Sequence, residues 1–127
     1  MIDSALRTLA QRKGAPSAAA RENGAVEEVY RLVAAHYGEN IGLEWLAERV
    51  GLSPNYLSSL FKSESGQGVT QYLSAYRMEK AKQLLLQTNL RIADIGKSVG
   101  YPNTSYFCQQ FKRFFGVTAN SMRENGE

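Results

Sequence analysis

The segments GLSPNYLSSLFK, residues 51–62, and GYPNTSYFCQQFK, residues 100–112, carry hydroxyl, amide and lysine side chains at helical spacing. Amides pair with adenine through two hydrogen bonds, hydroxyls pair with several bases, and lysine binds phosphate. These residue types therefore suit contact with the major groove of double-stranded DNA. The two segments also match each other, and this internal repeat organises the rest of the sequence.

The repeat has the pattern of two short helices that cross at a turn. Small residues, Ala47 and Gly96, stand where such helices must approach closely. Gly51 and Gly100 suit a turn that needs a positive φ. Apolar pairs four residues apart attach the second helix to the first; they are Leu57 with Phe61, and Phe107 with Phe111. The pattern predicts one helix-turn-helix motif in each half of the chain.

With the apolar side of each second helix fixed, helical spacing predicts the outward residues. They are Asn55, Ser58, Ser59 and Lys62 in the first copy, and Ser105, Cys108, Gln109 and Lys112 in the second. An ordinary solvated helix face is the alternative for either helix alone. The duplication favours recognition of DNA by both.

Apolar periodicity and turn residues predict an all-α fold, a seven-helix bundle-like domain with two helix-turn-helix subdomains joined by a long linker helix. Helices are expected over about 25–37 and 43–50, from Pro54 to near Gly66, over about 69–87, from Ile92, from Thr104, and after Thr118. Asn23, Ser53 and Asn103 are the expected N-caps, and Phe107, Phe111 and Phe114 are expected to point inward.

The helix over 69–87 is long enough to connect two DNA-binding motifs. About nineteen residues at 1.5 Å each span roughly 28 Å. Successive major grooves on one side of B-DNA lie about 34 Å apart. We therefore predict that one chain contacts two successive major-groove segments.

The predicted organisation divides the chain into three parts. Residues 1–24 are expected to be a linker or the remnant of a preceding domain, because KGAPSAAARENG is small, polar and interrupted by Pro16. Residues 25–123 form the DNA-binding domain, with subdomains over 25–68 and 88–123. Residues 124–127 form a tail. The spacing over 2–9 is helical but too short to stand alone.

The composition suits a polyanionic partner such as nucleic acid, and a solvated charged surface is the alternative. The formal net charge is +3, and residues 54–127 hold nine basic against five acidic residues. Cys108 is the single cysteine, which excludes an internal disulfide. No apolar run approaches the ~20 residues of a membrane span. Asp3 and Arg7 interrupt the segment that a signal peptide would need. A soluble cytoplasmic protein is expected.

The sequence resembles the DNA-binding domain of the AraC/XylS family of bacterial transcription regulators. The matching stretches are LEWLAERVGLSPNYLSSLFKSESG, YLSAYRMEKAKQLLLQT, IADIGKSVGY and SYFCQQFKRFFGVT, within residues 25–123. The resemblance implies a promoter-binding regulator, usually an activator that meets RNA polymerase. It also implies an effector-binding or phosphorylation-receiver domain outside these residues. The segment SPNYLSSLFK resembles the corresponding segment of family members that are response regulators.

The resemblance also implies roles for individual residues. Base contacts are expected from Asn55, Ser58, Ser59, Thr104, Ser105, Cys108 and Gln109. Phosphate contacts are expected from Ser53, Lys62, Arg77, Asn103, Lys112 and Arg113. Arg77 matches a family arginine and is expected mainly to brace the two halves.

This chain departs from the family pattern at four positions. Many relatives carry arginine where Ser59 and Gln109 stand, so lower affinity and a preference for adenine over guanine at Gln109 are expected. Ala119 and Met122 replace a proline and an aromatic residue, so a looser last helix is expected.

Other classes of function have weaker support. His36 is the only histidine, and it lacks the spaced nucleophile and acid of a catalytic group. No metal site and no cofactor are expected, because one histidine and one cysteine do not make a ligand set. A redox role for Cys108 is a minor alternative. The main alternative to DNA binding is a helical protein-interaction module.

Overall fold

The computed structural model describes the backbone of residues 18–126 and the side chains of residues 24–126. That part of the chain folds into seven α-helices and contains no strand, which confirms the predicted all-α class. The helices are α1 (Ala18–His36), α2 (Leu43–Val50), α3 (Pro54–Ser65), α4 (Val69–Gln87), α5 (Ile92–Ser98), α6 (Thr104–Phe115) and α7 (Ala119–Asn125).

The predicted start of the first helix is wrong. Helix α1 begins at Ala18 instead of Ala25, so part of the expected linker is helical and Asn23 lies inside the helix instead of capping it. Three consecutive alanines favour helix strongly enough to outweigh the cost of Gly24. Helix α7 ends at Asn125, and the domain end at residue 123 stays a prediction. The predicted helical spacing over 2–9 lies outside the described residues.

The two predicted helix-turn-helix motifs are α2–α3 and α5–α6. The turn glycines Gly51 and Gly100 have φ values of 78° and 102°. The residue after each glycine donates a backbone hydrogen bond to the small residue at the helix crossing: Leu52 to Ala47 at 3.0 Å, and Tyr101 to Gly96 at 2.7 Å. The repeat in sequence is therefore a repeat in backbone hydrogen bonding.

Each motif has its own hydrophobic core. The first core contains Val26, Val29, Val33, Ile41, Leu46, Ala47, Leu57, Phe61, Val69 and Leu73. The second contains Met78, Ala81, Leu85, Ile95, Val99, Tyr101, Phe107, Phe111, Ala119 and Met122. Tyr72 packs against the first core, and burial raises the pKa of its phenol.

Helix α4 belongs to both cores. Val69 and Leu73 are buried in the first, whereas Met78, Ala81 and Leu85 are buried in the second. At 100° per residue, the second set lies roughly 130° further round the helix than the first. The two subdomains therefore pack against different sides of one helix.

The prediction that Phe114 points inward is wrong, because its side chain is 46% exposed. Phe107 and Phe111 are buried, and Phe115 continues their four-residue spacing and packs against the second core. Phe114 instead borders two open depressions that Ser74 of α4 also lines.

Helix α7 is packed firmly despite the two departures from the family pattern. Ala119 and Met122 are buried in the second core, which corrects the expectation of looser packing. Arg123 donates hydrogen bonds to three backbone carbonyls at the end of α4 and just after it. The Leu85 carbonyl is one of those that the end of a helix leaves without an intrahelical partner.

The close approach at Gly96 generates a stability prediction. A Cβ atom there would lie 2.9 Å from Cδ2 and Cγ of Phe107. Gly96→Ala is therefore expected to lower the free energy of unfolding by about 1–3 kcal/mol, measured by urea denaturation. Gly24→Ala is the matched control, because a Cβ at this helical glycine meets nothing within 4 Å. It is expected to leave stability unchanged or to raise it by up to about 1 kcal/mol. Equal effects of the two variants would contradict the crossing geometry.

Candidate nucleic-acid interface

Helix α3 presents one of the two predicted polar surfaces. Its N-cap is Ser53, whose Oγ accepts a hydrogen bond from the Tyr56 backbone N–H at 3.1 Å, and Pro54 occupies the first turn. Leu57 and Phe61 are fully buried. The opposite side, the α3 face, consists of Asn55, Ser59 and Lys62, which are exposed, and Ser58, which is half-buried.

Helix α6 presents the second polar surface in the same way. Asn103 is its N-cap, and its Oδ1 accepts a hydrogen bond from the Tyr106 backbone N–H at 2.8 Å. Phe107 and Phe111 are buried. The α6 face consists of Thr104, Ser105, Cys108, Gln109, Lys112 and Arg113, all exposed.

The two N-caps leave hydrogen-bond donors free for a ligand. In each cap the side-chain oxygen accepts from the helix backbone. The Ser53 hydroxyl hydrogen and the Asn103 amide NH₂ are not used in these bonds. Both donors lie at the start of an exposed helix, where anions are favoured by the helix dipole. The caps can therefore hold the helices and donate to a phosphate at the same time.

The charge of the two surfaces differs. Helix α6 contains Lys112 and Arg113 and no acidic residue. Helix α3 contains Lys62 and Glu64, and Glu64 lies half a turn round the helix from Asn55. The α6 face is therefore the more strongly basic. An open depression runs along it, lined by Cys108, Gln109, Lys112, Arg113, Gly116 and Thr118.

Three residues at these surfaces were missed by the sequence analysis. Tyr56 and Tyr106 occupy equivalent positions in the repeat and are 43% and 52% exposed. The sequence indicates them, because both copies of the repeat have a tyrosine one residue before the buried Leu57 or Phe107. Thr118 borders the α6 depression, and its Oγ1 caps α7 by accepting from the Ser121 N–H at 3.0 Å.

Arg77 lies at the junction between the subdomains, as the bracing role predicted. Its Nε donates to the Tyr37 carbonyl at 2.7 Å, and its Nη2 donates to the Glu39 carbonyl at 2.8 Å. The guanidinium also lies 5.5 Å from the Tyr101 ring centroid. A phosphate contact by Arg77 stays a prediction.

Other kinds of site find no support within the described residues. Among them, no three histidine, cysteine, aspartate or glutamate side chains are grouped to hold a metal ion. His36 contacts Glu39 through Nδ1 at 2.7 Å and packs edge-on against Trp45. None of the helices in residues 18–126 is long and apolar enough to cross a membrane.

The sequence pattern of the helix-turn-helix domain family matches residues 46–125, which is more than half of the chain. The regulatory protein PocR of Salmonella typhimurium is 35% identical over 99 residues. This match covers 78% of the chain but only 33% of PocR, so the chain spans about a third of that relative's length.

Two similar solved structures are C-terminal domains of response regulators. That of AraT from Geobacillus stearothermophilus is 37% identical, with a TM-score of 0.78, and the match covers 80% of this chain and 84% of that one. That of yesN from Fusobacterium nucleatum is 36% identical, with a TM-score of 0.77, and the match covers 79% of this chain and 98% of that one.

Asn103 caps α6 and is predicted to donate to a phosphate as well, and two variants test these roles separately. Asn103→Ala removes both the cap and the free donor, so unfolding free energy is expected to fall by about 1 kcal/mol. Asn103→Asp keeps a capping oxygen, so stability is expected to stay within a few tenths of a kcal/mol. Its carboxylate would repel phosphate, so duplex DNA binding should weaken in both variants. Thermal unfolding and fluorescence anisotropy measure the two effects, and full duplex affinity in Asn103→Asp would exclude the phosphate contact.

Proposed function

This chain belongs to the AraC/XylS family of helix-turn-helix DNA-binding transcription regulators, and we propose that it binds two successive major-groove segments of one promoter. The observation that carries this proposal is the duplicated, exposed polar surface on α3 and α6, each opposite a buried core. A single motif would provide one such surface. The nineteen residues of α4, about 28 Å at 1.5 Å each, connect the two motifs, so we expect the two surfaces to enter grooves about one turn of B-DNA apart.

Base recognition is assigned to the outer residues of the two helices. The amides of Asn55 and Gln109 match the N6 and N7 atoms of adenine. The hydroxyls of Ser58, Ser59 and Ser105 are short and can bond to either a donor or an acceptor on a base edge. Thr104 and Cys108 complete the proposed base-contact set on α6.

Phosphate contacts are assigned to residues at the edges and ends of these helices. Lys62, Lys112 and Arg113 are exposed cations on the two surfaces. Ser53 and Asn103 add neutral donors at the helix N-termini. These contacts would hold the helices in register without selecting a base sequence.

The function of the full regulator is proposed from the similar proteins. AraT and yesN are response regulators, and their C-terminal domains are similar to this chain. We therefore assign a sensory or receiver domain to the protein outside these residues. We further assign activation through contact with RNA polymerase, in the bacterial cytoplasm, where promoter DNA is found. The domain acts by binding, without a catalytic step or cofactor.

Salt dependence tests duplex binding against the alternative of a protein-interaction module. Binding to a duplex enriched from a random library is measured by anisotropy at several salt concentrations. Three cationic phosphate contacts predict a slope of log K against log salt of about −3. A flat response, or no enrichment of any duplex, would favour the protein-interaction module. Footprinting of the enriched duplex should show protection of two segments about one turn apart.

Two substitutions on α6 should separate base recognition from phosphate binding. Gln109→Ala is expected to relax the preference for adenine at one position, a loss of about 1–3 kcal/mol of discrimination. Lys112→Ala is expected to weaken all sequences about equally and to reduce the salt slope by about 1. Lys82→Ala is the control, because this lysine lies on α4 with its ammonium 5.6 Å from the Phe115 ring centroid. Binding profiles from library selection compare the variants, and the reverse pattern would refute both assignments.

A further inference from the structure

The two subdomains are connected by direct contacts as well as by α4. Arg77 projects from the middle of α4 and donates to the carbonyls of Tyr37 and Glu39, which follow the end of α1. Both carbonyls belong to the first subdomain. Tyr37 itself packs against both hydrophobic cores. A residue of the shared helix is thus bonded to the loop that leads into the first motif.

The turn between α5 and α6, in the second subdomain, packs against the same guanidinium. A Cβ atom on Gly100 would lie 2.8 Å from Nε of Arg77 and 2.9 Å from the Tyr37 carbonyl oxygen. The equivalent glycine of the first motif, Gly51, has nothing within 4 Å of such an atom. The two turns are therefore alike in backbone conformation but differ in surroundings, because only the second is packed against the other subdomain.

A second close approach lies beside the first. A Cβ atom on Gly38 would lie 2.5 Å from the Ser98 carbonyl oxygen, at the end of α5. Because Gly38 has no side chain, the loop after α1 can approach the end of α5 closely. We call this contact region the subdomain clasp; it consists of Tyr37, Gly38, Glu39, Arg77, Ser98 and Gly100.

We propose that the subdomain clasp sets the number of base pairs between the two DNA segments that the protein recognises. A helix of the length of α4 can bend and twist, and a linker alone would permit a range of relative orientations. The clasp connects the loop before α2 to the turn before α6, so it restrains both motifs directly. Arg77 is accordingly a positioning residue for DNA recognition. The inference rests on the proposed contact with two segments of one duplex.

A spacing assay measures this role. In duplexes that contain both segments, the spacer is changed by one base pair in either direction, which rotates one segment by about 34° relative to the other. For the unaltered protein we expect an affinity loss of about tenfold or more for each changed spacer. For Arg77→Ala we expect similar affinities for all three spacers, whatever the loss of its predicted phosphate contact does to the overall affinity. Arg77→Lys should restore part of the preference, since lysine supplies donors but not the planar fork.

Glycine variants test the second contact. Gly38→Ala forces the Ser98 carbonyl away and is expected to shift the preferred spacer or to broaden the preference. Gly42→Ala is its control in the same loop, because a Cβ there meets nothing within 4 Å. Gln83→Ala, an exposed position on α4, is the control for Arg77→Ala. Both controls should keep the spacing profile of the unaltered protein.

A distance measurement without DNA distinguishes failure of the clasp from failure of the proposed function. Spin labels are attached to the native Cys108 and to a cysteine introduced by Ser59→Cys, and each variant is confirmed as folded by its cooperative unfolding. A narrow distance distribution that broadens in Arg77→Ala supports the clasp. An unchanged distribution, or an unchanged spacing profile in a protein that binds both segments, overturns it. If the unaltered protein binds no duplex, the proposed function fails and this inference fails with it.

Discussion

The whole structure depends on α4 being buried on two sides. Its first half contributes Val69 and Leu73 to one core, and its second half contributes Met78, Ala81 and Leu85 to the other. Neither core is complete without this helix, and each motif must take the orientation that the corresponding side of α4 presents. The rotation between the two sides therefore sets the overall orientation of α3 relative to α6, which the contacts around Arg77 restrain further.

Two arginines complete the ends of helices that they do not belong to. Arg77 of α4 donates to carbonyls just after α1, and Arg123 of α7 donates to carbonyls at the end of α4 and in the segment that follows. Planar guanidinium groups suit this role because one side chain can donate to several carbonyls at once. Both sets of hydrogen bonds join elements that are far apart in sequence, so each arginine stabilises a helix terminus and a tertiary contact together.

Local patterns in the sequence predicted most of the helices, the N-caps Ser53 and Asn103, and the repeat, because these depend on neighbouring residues. The α3 and α6 faces were predicted as the positions that remain outside once the apolar residues of each helix are assigned to the core. The change of buried side within α4 had no periodic signal, since the step from Leu73 to Met78 interrupts the helical spacing. The carbonyl partners of Arg77 and the closeness of Gly38 to Ser98 could not be predicted, because they join segments about forty or more residues apart. The base contacts of the outer residues stay predictions, because the fold does not determine which bases those residues meet.

The separation of buried and exposed positions on α3 and α6 has a consequence for how such a protein diverges. The residues that hold each helix, such as Leu57 and Phe107, are different from those that face outward. Exchanging an outer residue leaves the buried residues unchanged, so under the proposed base contacts a single codon change would alter sequence preference at little thermodynamic cost. Because the motif is present twice, the same proposal lets the outer residues of one copy change while those of the other stay as they are.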